Sequence, residues 1–179
     1  MSLSILGLSG SLRRGSTNTA LLRAIGAALP DGVTLQIHDY GDVPLFNSDI
    51  EPRPAAVDAL RSAIEAADAV VIATPEYNHS VPGVLKNAVD WASRPAYRSP
   101  FAGKPTAVVS AAASFVGGAR AQQHMKTILL GMGVPVYVGP DVLVGKVFER
   151  LTDGELTDEA TLKVVDGFAV TFSGWVAGR

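Results

Sequence analysis

The sequence predicts one doubly wound α/β domain spanning residues 1–179, in which a five-stranded parallel sheet is sandwiched between helices as a three-layer α/β/α structure. Three observations carry this. Short apolar runs alternate with helical patterns from end to end, the mark of βαβ units. Hydrophobic residues make up 47% of the chain and charged residues only 18%, as a sheet covered on both faces requires. No linker, internal repeat or low-complexity stretch breaks the series, and a chain of this length buries roughly 70% of its unfolded surface in one core.

Residues 3–8 read as a buried first strand, and residues 19–29 as a helix with Leu21, Leu22, Ile25, Ala28 and Leu29 on one face, ended by Pro30, Asp31 and Gly32. Residues 33–39 form the second strand. Pro54 then opens a helix whose Val57, Leu60, Ile64 and Ala67 recur at helical spacing until Asp68. The third strand, 69–74, is apolar until its last residue, as the centre of a doubly covered sheet should be. Pro82 starts a helix to about Ala92, residues 106–110 make the fourth strand, and 118–130 the next helix. Residues 134–138 are the expected fifth strand. Residues 139–157 read as irregular, with a turn at Asp153-Gly154, before Thr157 or Asp158 caps a last helix carrying Leu162, Val165, Ala169, Phe172 and Val176.

Right-handed crossovers leave few topologies for five such strands, and the flavodoxin-like order is the expected one at this size. Ligands of such sheets sit at the carboxyl ends of the strands. That rule sets the loops 9–18, 75–81 and 111–118 side by side.

Several classes are excluded by inventory. A net charge of −2 offers no basic field for a nucleic acid. The absence of cysteine removes disulfides, thiolate metal sites and a cysteine nucleophile, and no metal site is read. The N-terminal MSLSILGLSGSLRR carries its arginines after the apolar stretch, the reverse of a secretory signal. No apolar run approaches the ~20 residues that cross a bilayer, so a soluble, cytoplasmic protein is expected.

The first loop, Ser9-Gly10-Ser11-Leu12-Arg13-Arg14-Gly15-Ser16-Thr17-Asn18, crowds hydroxyls, small residues and cations against the start of a helix, whose open N–H groups favour an anion. Singly, Ser16, Thr17 or Asn18 would be an N-cap and each arginine a solvated charge; together they make a phosphate cradle for a mononucleotide. Rival motifs fail on named residues. Ser16 stands where a Walker loop needs lysine, Gly7 and Gly10 do not complete G-x-G-x-x-G, and Gly7 to Ser11 lacks the final glycine of a nucleophile elbow. In the second loop, Pro75-Glu76-Tyr77-Asn78-His79-Ser80-Val81-Pro82-Gly83, a polar aromatic cluster follows the most buried strand, a placement that suits a flat heterocycle. Backbone N–H groups and the Asn78 amide are candidate donors to its edge, and His79 is given no catalytic role.

GSLRRGSTN at 10–18 and PEYNHSVPGVLKNAVDW at 75–91, with DYGDVPLF at 39–46, AGKP at 102–105 and GGAR at 117–120, resemble the NADPH-dependent FMN reductase family, the flavodoxin-like quinone and chromate reductase group. The resemblance implies that Ser11, Arg13, Ser16, Thr17 and Asn18 bind the phosphate of FMN while Pro75, Glu76, Tyr77 and Asn78 line its ring. The third loop keeps the glycine pair but is richer in alanine than the family's run; Ser114, Gly117 and Gly118 are its candidate contacts at the pyrimidine edge. Such proteins assemble as homodimers or homotetramers, and the apolar Val84, Leu85, Ala88, Val89 and Trp91 fit either a buried helix or an interface.

The function expected is an NAD(P)H-dependent, FMN-containing oxidoreductase: NADPH or NADH passes hydride to flavin N5, leaves, and is replaced by a quinone, chromate, azo or nitro compound in a ping-pong cycle. No side chain is assigned a catalytic role, because the chemistry belongs to the bound flavin. The alternatives are a flavin reductase that releases reduced FMN to a partner, a non-enzymatic flavodoxin-like electron carrier, and a nucleotide-binding regulatory module.

Overall fold

In the computed structural model, which describes residues 2–179, strand β1 (Leu3–Ser9) leads into helix α1 (Thr17–Ala27), and β2 (Val33–Ile37) into α2 (Ala55–Ala66). The central β3 (Ala69–Thr74) leads into α3 (Gly83–Ala92), and β4 (Thr106–Ala111) into α4 (Ala119–Gly131). A short β5 (Leu143–Val144), a 3-10 turn (Val147–Arg150), a hairpin of β6 (Leu151–Thr152) and β7 (Glu155–Leu156), and the long α5 (Glu159–Ala177) complete the order. The main sheet runs β2-β1-β3-β4-β5, and all its pairings are parallel.

Alternation along β3 explains the layering, since neighbouring residues of a strand point to opposite faces. Val71 and Ala73 join the core with Leu21, Leu22 and Ile25 of α1 and Val165, Phe168 and Phe172 of α5. Val70 and Ile72 join the opposite core with Leu60 and Ile64 of α2, Leu85 and Val89 of α3, and Met125 and Leu129 of α4. A strand apolar on both faces can exist only between two such layers, which is why β3 is wholly buried.

The expected fifth strand at 134–138 needs correction. It touches the sheet at one bridge, Thr106 with Val136, and pairing resumes only at Leu143–Val144, within the segment read as irregular. Gly139 and Pro140 are the physical reason. Proline has no N–H for the ladder, and Gly139 lies so close over the Tyr137 ring that an added Cβ would sit 2.2 Å from it. The turn at Asp153-Gly154 forms as expected, with both residues at positive φ (51° and 81°) in a two-residue hairpin loop.

Helix α1 begins two residues earlier than its apolar pattern suggests. Ser16 is the N-cap, its hydroxyl accepting from the Thr19 N–H at 3.2 Å. Asp158 caps α5 in the same way through Thr161. Helix α3 is covered by its own chain: Leu85, Ala88, Val89 and Trp91 are buried, and only Val84 of the apolar set faces outward.

Candidate functional site

The carboxyl ends of β1, β3 and β4 bring three loops around one cavity of about 210 Å³. The first contributes Ser11, Arg13, Ser16, Thr17 and Asn18, the second Pro75, Glu76 and Tyr77, and the third Ala111, Ala112 and Ala113, while Val147 and Phe148 close the far side.

In the first loop the hydroxyls of Ser9, Ser16 and Thr19 form a knot, with Thr19 donating to Ser9 at 2.9 Å and Ser9 meeting Ser16 at 3.3 Å. This knot fixes the start of α1. Ser16 consumes the Thr19 N–H, which leaves the first-turn N–H groups of Thr17 and Asn18, two cavity-lining residues, without an intrahelical acceptor at the positive end of the helix. Gly10 passes where no side chain fits, since an added Cβ would lie 2.9 Å from the Pro75 ring. Arg13 and Arg14 are exposed, and neither forms an ion pair among the described residues.

Asn18 is placed at the cavity but its side chain is engaged elsewhere. The amide donates to the Ala111 carbonyl at 2.9 Å and accepts from the Ala111 N–H at 3.0 Å, so it fastens the first loop to the end of β4. What it offers a ligand is its backbone N–H.

The second loop is a tight hairpin turn. Tyr77 and Ser80 exchange N–H···O bonds of 3.0 Å, with Asn78 and His79 between them at φ 50° and 64°, a geometry that favours asparagine at its tip. Asn78 therefore sits at the turn's exposed end rather than in the cavity lining, and the N–H groups of Tyr77 and Ser80 are used within the turn. Tyr77 stands at the cavity mouth, half exposed.

Glu76 lines the cavity and also ties this loop to α4. Its carboxylate accepts from the Arg120 N–H and from the Arg120 guanidinium, each at 3.1 Å. Burial alone would raise the Glu76 carboxyl, but these bonds, with one from the Ala121 N–H, outweigh it and hold the group below the ordinary glutamate value of 4.5. A depressed folded value means that the contribution is complete above the ordinary value and is lost as pH falls through the folded one. Thermal unfolding followed from about pH 6 down to about pH 3 should therefore show a shallower acid loss in Glu76→Gln than in the parent; identical slopes would mean that this carboxylate does not contribute.

The third loop differs from expectation. Ser114, Gly117 and Gly118 do not line the cavity. Gly117 and Gly118 take φ 65° and 89° and pack where a Cβ would strike Gly145 and Ser110, each at 2.9 Å, so their smallness serves the packing of α4 against β4 and β5. The Ser114 carbonyl accepts from Lys146 and Gly117. Two contributors escape sequence reasoning. Phe148 lies in a segment with no periodic signal, and the buried Tyr40 donates its hydroxyl to the Ser9 carbonyl, bracing the first loop from behind.

A larger cavity of about 740 Å³ lies between the 46–53 segment, α2 and the end of α3. Its cations are already occupied: Arg53 pairs with Asp58, and Arg94 lies over the Phe46 ring at 5.5 Å. The smaller cavity lies at the strand ends and is lined by Arg13, which has no ion-pair partner among the described residues, and by the first turn of α1.

Sheet order and cavity position together define a flavodoxin-like α/β protein with its three-loop cavity at the strand ends. The family described as NADPH-dependent FMN reductase matches residues 3–149. An NAD(P)H-dependent FMN reductase of Pseudomonas aeruginosa is 40% identical over 96% of this chain and 94% of its own length, and a quinone reductase of Escherichia coli 37% identical over 97% and 95%. Among solved structures, the flavoenzyme FerB of Paracoccus denitrificans, an NAD(P)H:(acceptor) oxidoreductase, superposes with a TM-score of 0.89 at 34% identity, covering 98% of each chain. The chain belongs to the NADPH-dependent FMN reductase family.

Proposed function

We propose that this protein is an NAD(P)H-dependent oxidoreductase that carries FMN in the three-loop cavity and reduces quinones or similar small acceptors. The observation that carries the reading is the unpaired Arg13 beside the open start of α1, continuous through one cavity with Tyr77. The donor set fits a phosphate: a guanidinium, the Thr17 and Asn18 N–H groups, and the hydroxyls of Ser11 and Thr17. The apolar wall of Pro75, Ala112, Val147 and Phe148 fits the ring.

Bound FMN would supply the redox chemistry, taking hydride from NADPH or NADH and returning the two electrons to the acceptor. The chain's own part is to bind and orient. Arg13 and the helix start neutralise the phosphate, Tyr77 borders the ring's exposed side, and the alanines of the third loop exclude water from its inner edge. No side chain needs to act as acid or base.

Within the same proposal, the whole chain forms one domain, works in the cytoplasm and assembles as a homodimer or homotetramer. No helix among the described residues is long and apolar enough to cross a membrane. The exposed Leu12, Leu45, Phe115 and Val116 support an interface, and sedimentation tests it.

The test is direct. Purified protein incubated with FMN and passed through gel filtration should emerge yellow and oxidise NADPH or NADH with benzoquinone, giving parallel double-reciprocal lines. A colourless protein that gains no turnover with added FMN would overturn the proposal. Flavin lost on the column with turnover retained would favour release of reduced FMN to a partner.

A further inference from the structure

We propose that Arg120 and His124, one turn apart on α4, are positioning residues that hold the second loop in its ring-facing shape, Arg120 through Glu76 and His124 through Ser80. The inference rests on the flavin reading of the cavity and adds residues outside its lining.

The second loop needs holding. Asn78 and His79 both occupy the left-handed region, a conformation that costs any non-glycine residue free energy and persists where the surroundings hold it. The mutual bonds of Tyr77 and Ser80 close the turn but do not aim it. Aim comes from outside. Glu76, just before the turn, is bound by Arg120 through backbone and side chain at 3.1 Å. Ser80, which ends it, has its hydroxyl 3.0 Å from His124 Nδ1. The two anchors stand four residues apart on the loop and their partners four apart on the helix, so one helical turn clasps both ends of the hairpin.

The clasp has a rigid base. The N-cap of α4, Gly118, packs against Ser110 of β4 with no room for a Cβ, and the Ser110 hydroxyl donates to the Gly117 carbonyl at 2.6 Å. The helix start is thus fixed to the strand beside β3, from which the second loop emerges. Although the Arg120 side chain is 54% exposed, its partner carboxylate is 9% exposed, which lifts this pair above an ordinary surface ion pair.

The experiment measures FMN and riboflavin affinity of the full chain by fluorescence titration. Arg120→Ala and His124→Ala should each weaken both flavins about three- to tenfold and leave their ratio unchanged, because the clasp acts on the ring and not on the phosphate. Arg120→Lys should recover most of the loss. Arg120→Ala should have no further effect in a Glu76→Ala background, nor His124→Ala in a Ser80→Ala background, since each acts through that partner. In protein without flavin, amide exchange across residues 76–80 should be faster in both variants. Parental affinity and exchange, or full additivity with the partner variants, would overturn the clasp. A parent chain that binds neither flavin would overturn the cofactor reading instead, and the exchange rates would still decide the clasp.

Discussion

Arg13→Ala is expected to weaken FMN binding about 10- to 150-fold while riboflavin affinity stays within about threefold, because a charged hydrogen bond of ~1.5–3 kcal/mol is lost and each 1.4 kcal/mol is a factor of ten. The selectivity follows from position. Arg13 lies beside the helix start in the cavity lining, has no acidic partner among the described residues, and is placed to meet a ligand's negative charge. Folding stability should stay within about 0.5 kcal/mol, since the side chain is exposed and braces nothing. Arg13→Lys should restore part of the affinity, a point charge replacing a planar fork of donors. The arginine's contribution should also shrink with added salt, as an exposed charge pair is screened. Fluorescence titrations of FMN and riboflavin at two salt concentrations check all of this. Unchanged FMN affinity would place the phosphate elsewhere, and an equal loss for both flavins would mean that Arg13 shapes the loop rather than meeting the phosphate.

Sequence patterns expose the two candidate loops because their chemistry departs from what surrounds them. Ser9 to Asn18 follows a buried strand with hydroxyls and two cations, and Glu76 to His79 places polar groups after six buried residues. Neither has a structural use obvious from local pattern. What stays hidden is long-range pairing. The Asn18 bonds to Ala111 join residues 93 apart in sequence, and Glu76 meets Arg120 across 44. No periodicity encodes such contacts, so Asn18 and Glu76 read as ligand contacts when each also serves as a fastening. The glycines of the third loop show a related limit: glycine signals close approach, but not of what, and here the neighbours are Ser110 and Gly145. The fifth strand is a misreading that sequence could have prevented, since Gly139-Pro140 directly after the apolar run marks a break in any ladder.

Asn18→Leu should cost about 2–6 kcal/mol of stability, the sum of two backbone groups that lose their partner at ~1–3 kcal/mol each. Asn18 is 1% exposed, and its amide bonds both the N–H and the carbonyl of Ala111 at the end of β4. Leucine fills nearly the same space but offers neither donor nor acceptor, and water has little access to take its place. For a chain of this size the loss corresponds to a fall in Tm of about 4–24 °C. Flavin binding should weaken as well, because the same amide holds the start of α1 against the third loop, and with it the Thr17 and Asn18 backbone proposed to receive the phosphate. Asn18→Asp separates the two effects. Its carboxylate still accepts from the Ala111 N–H but sets a buried charge against the Ala111 carbonyl, so no stability returns over the leucine variant, while the added negative charge beside the cradle should weaken FMN relative to riboflavin, as leucine does not. Thermal unfolding and paired flavin titrations distinguish these outcomes. A leucine variant as stable as the parent would mean that Ala111 finds other partners, and the fastening of the first loop to the third would then rest on packing alone.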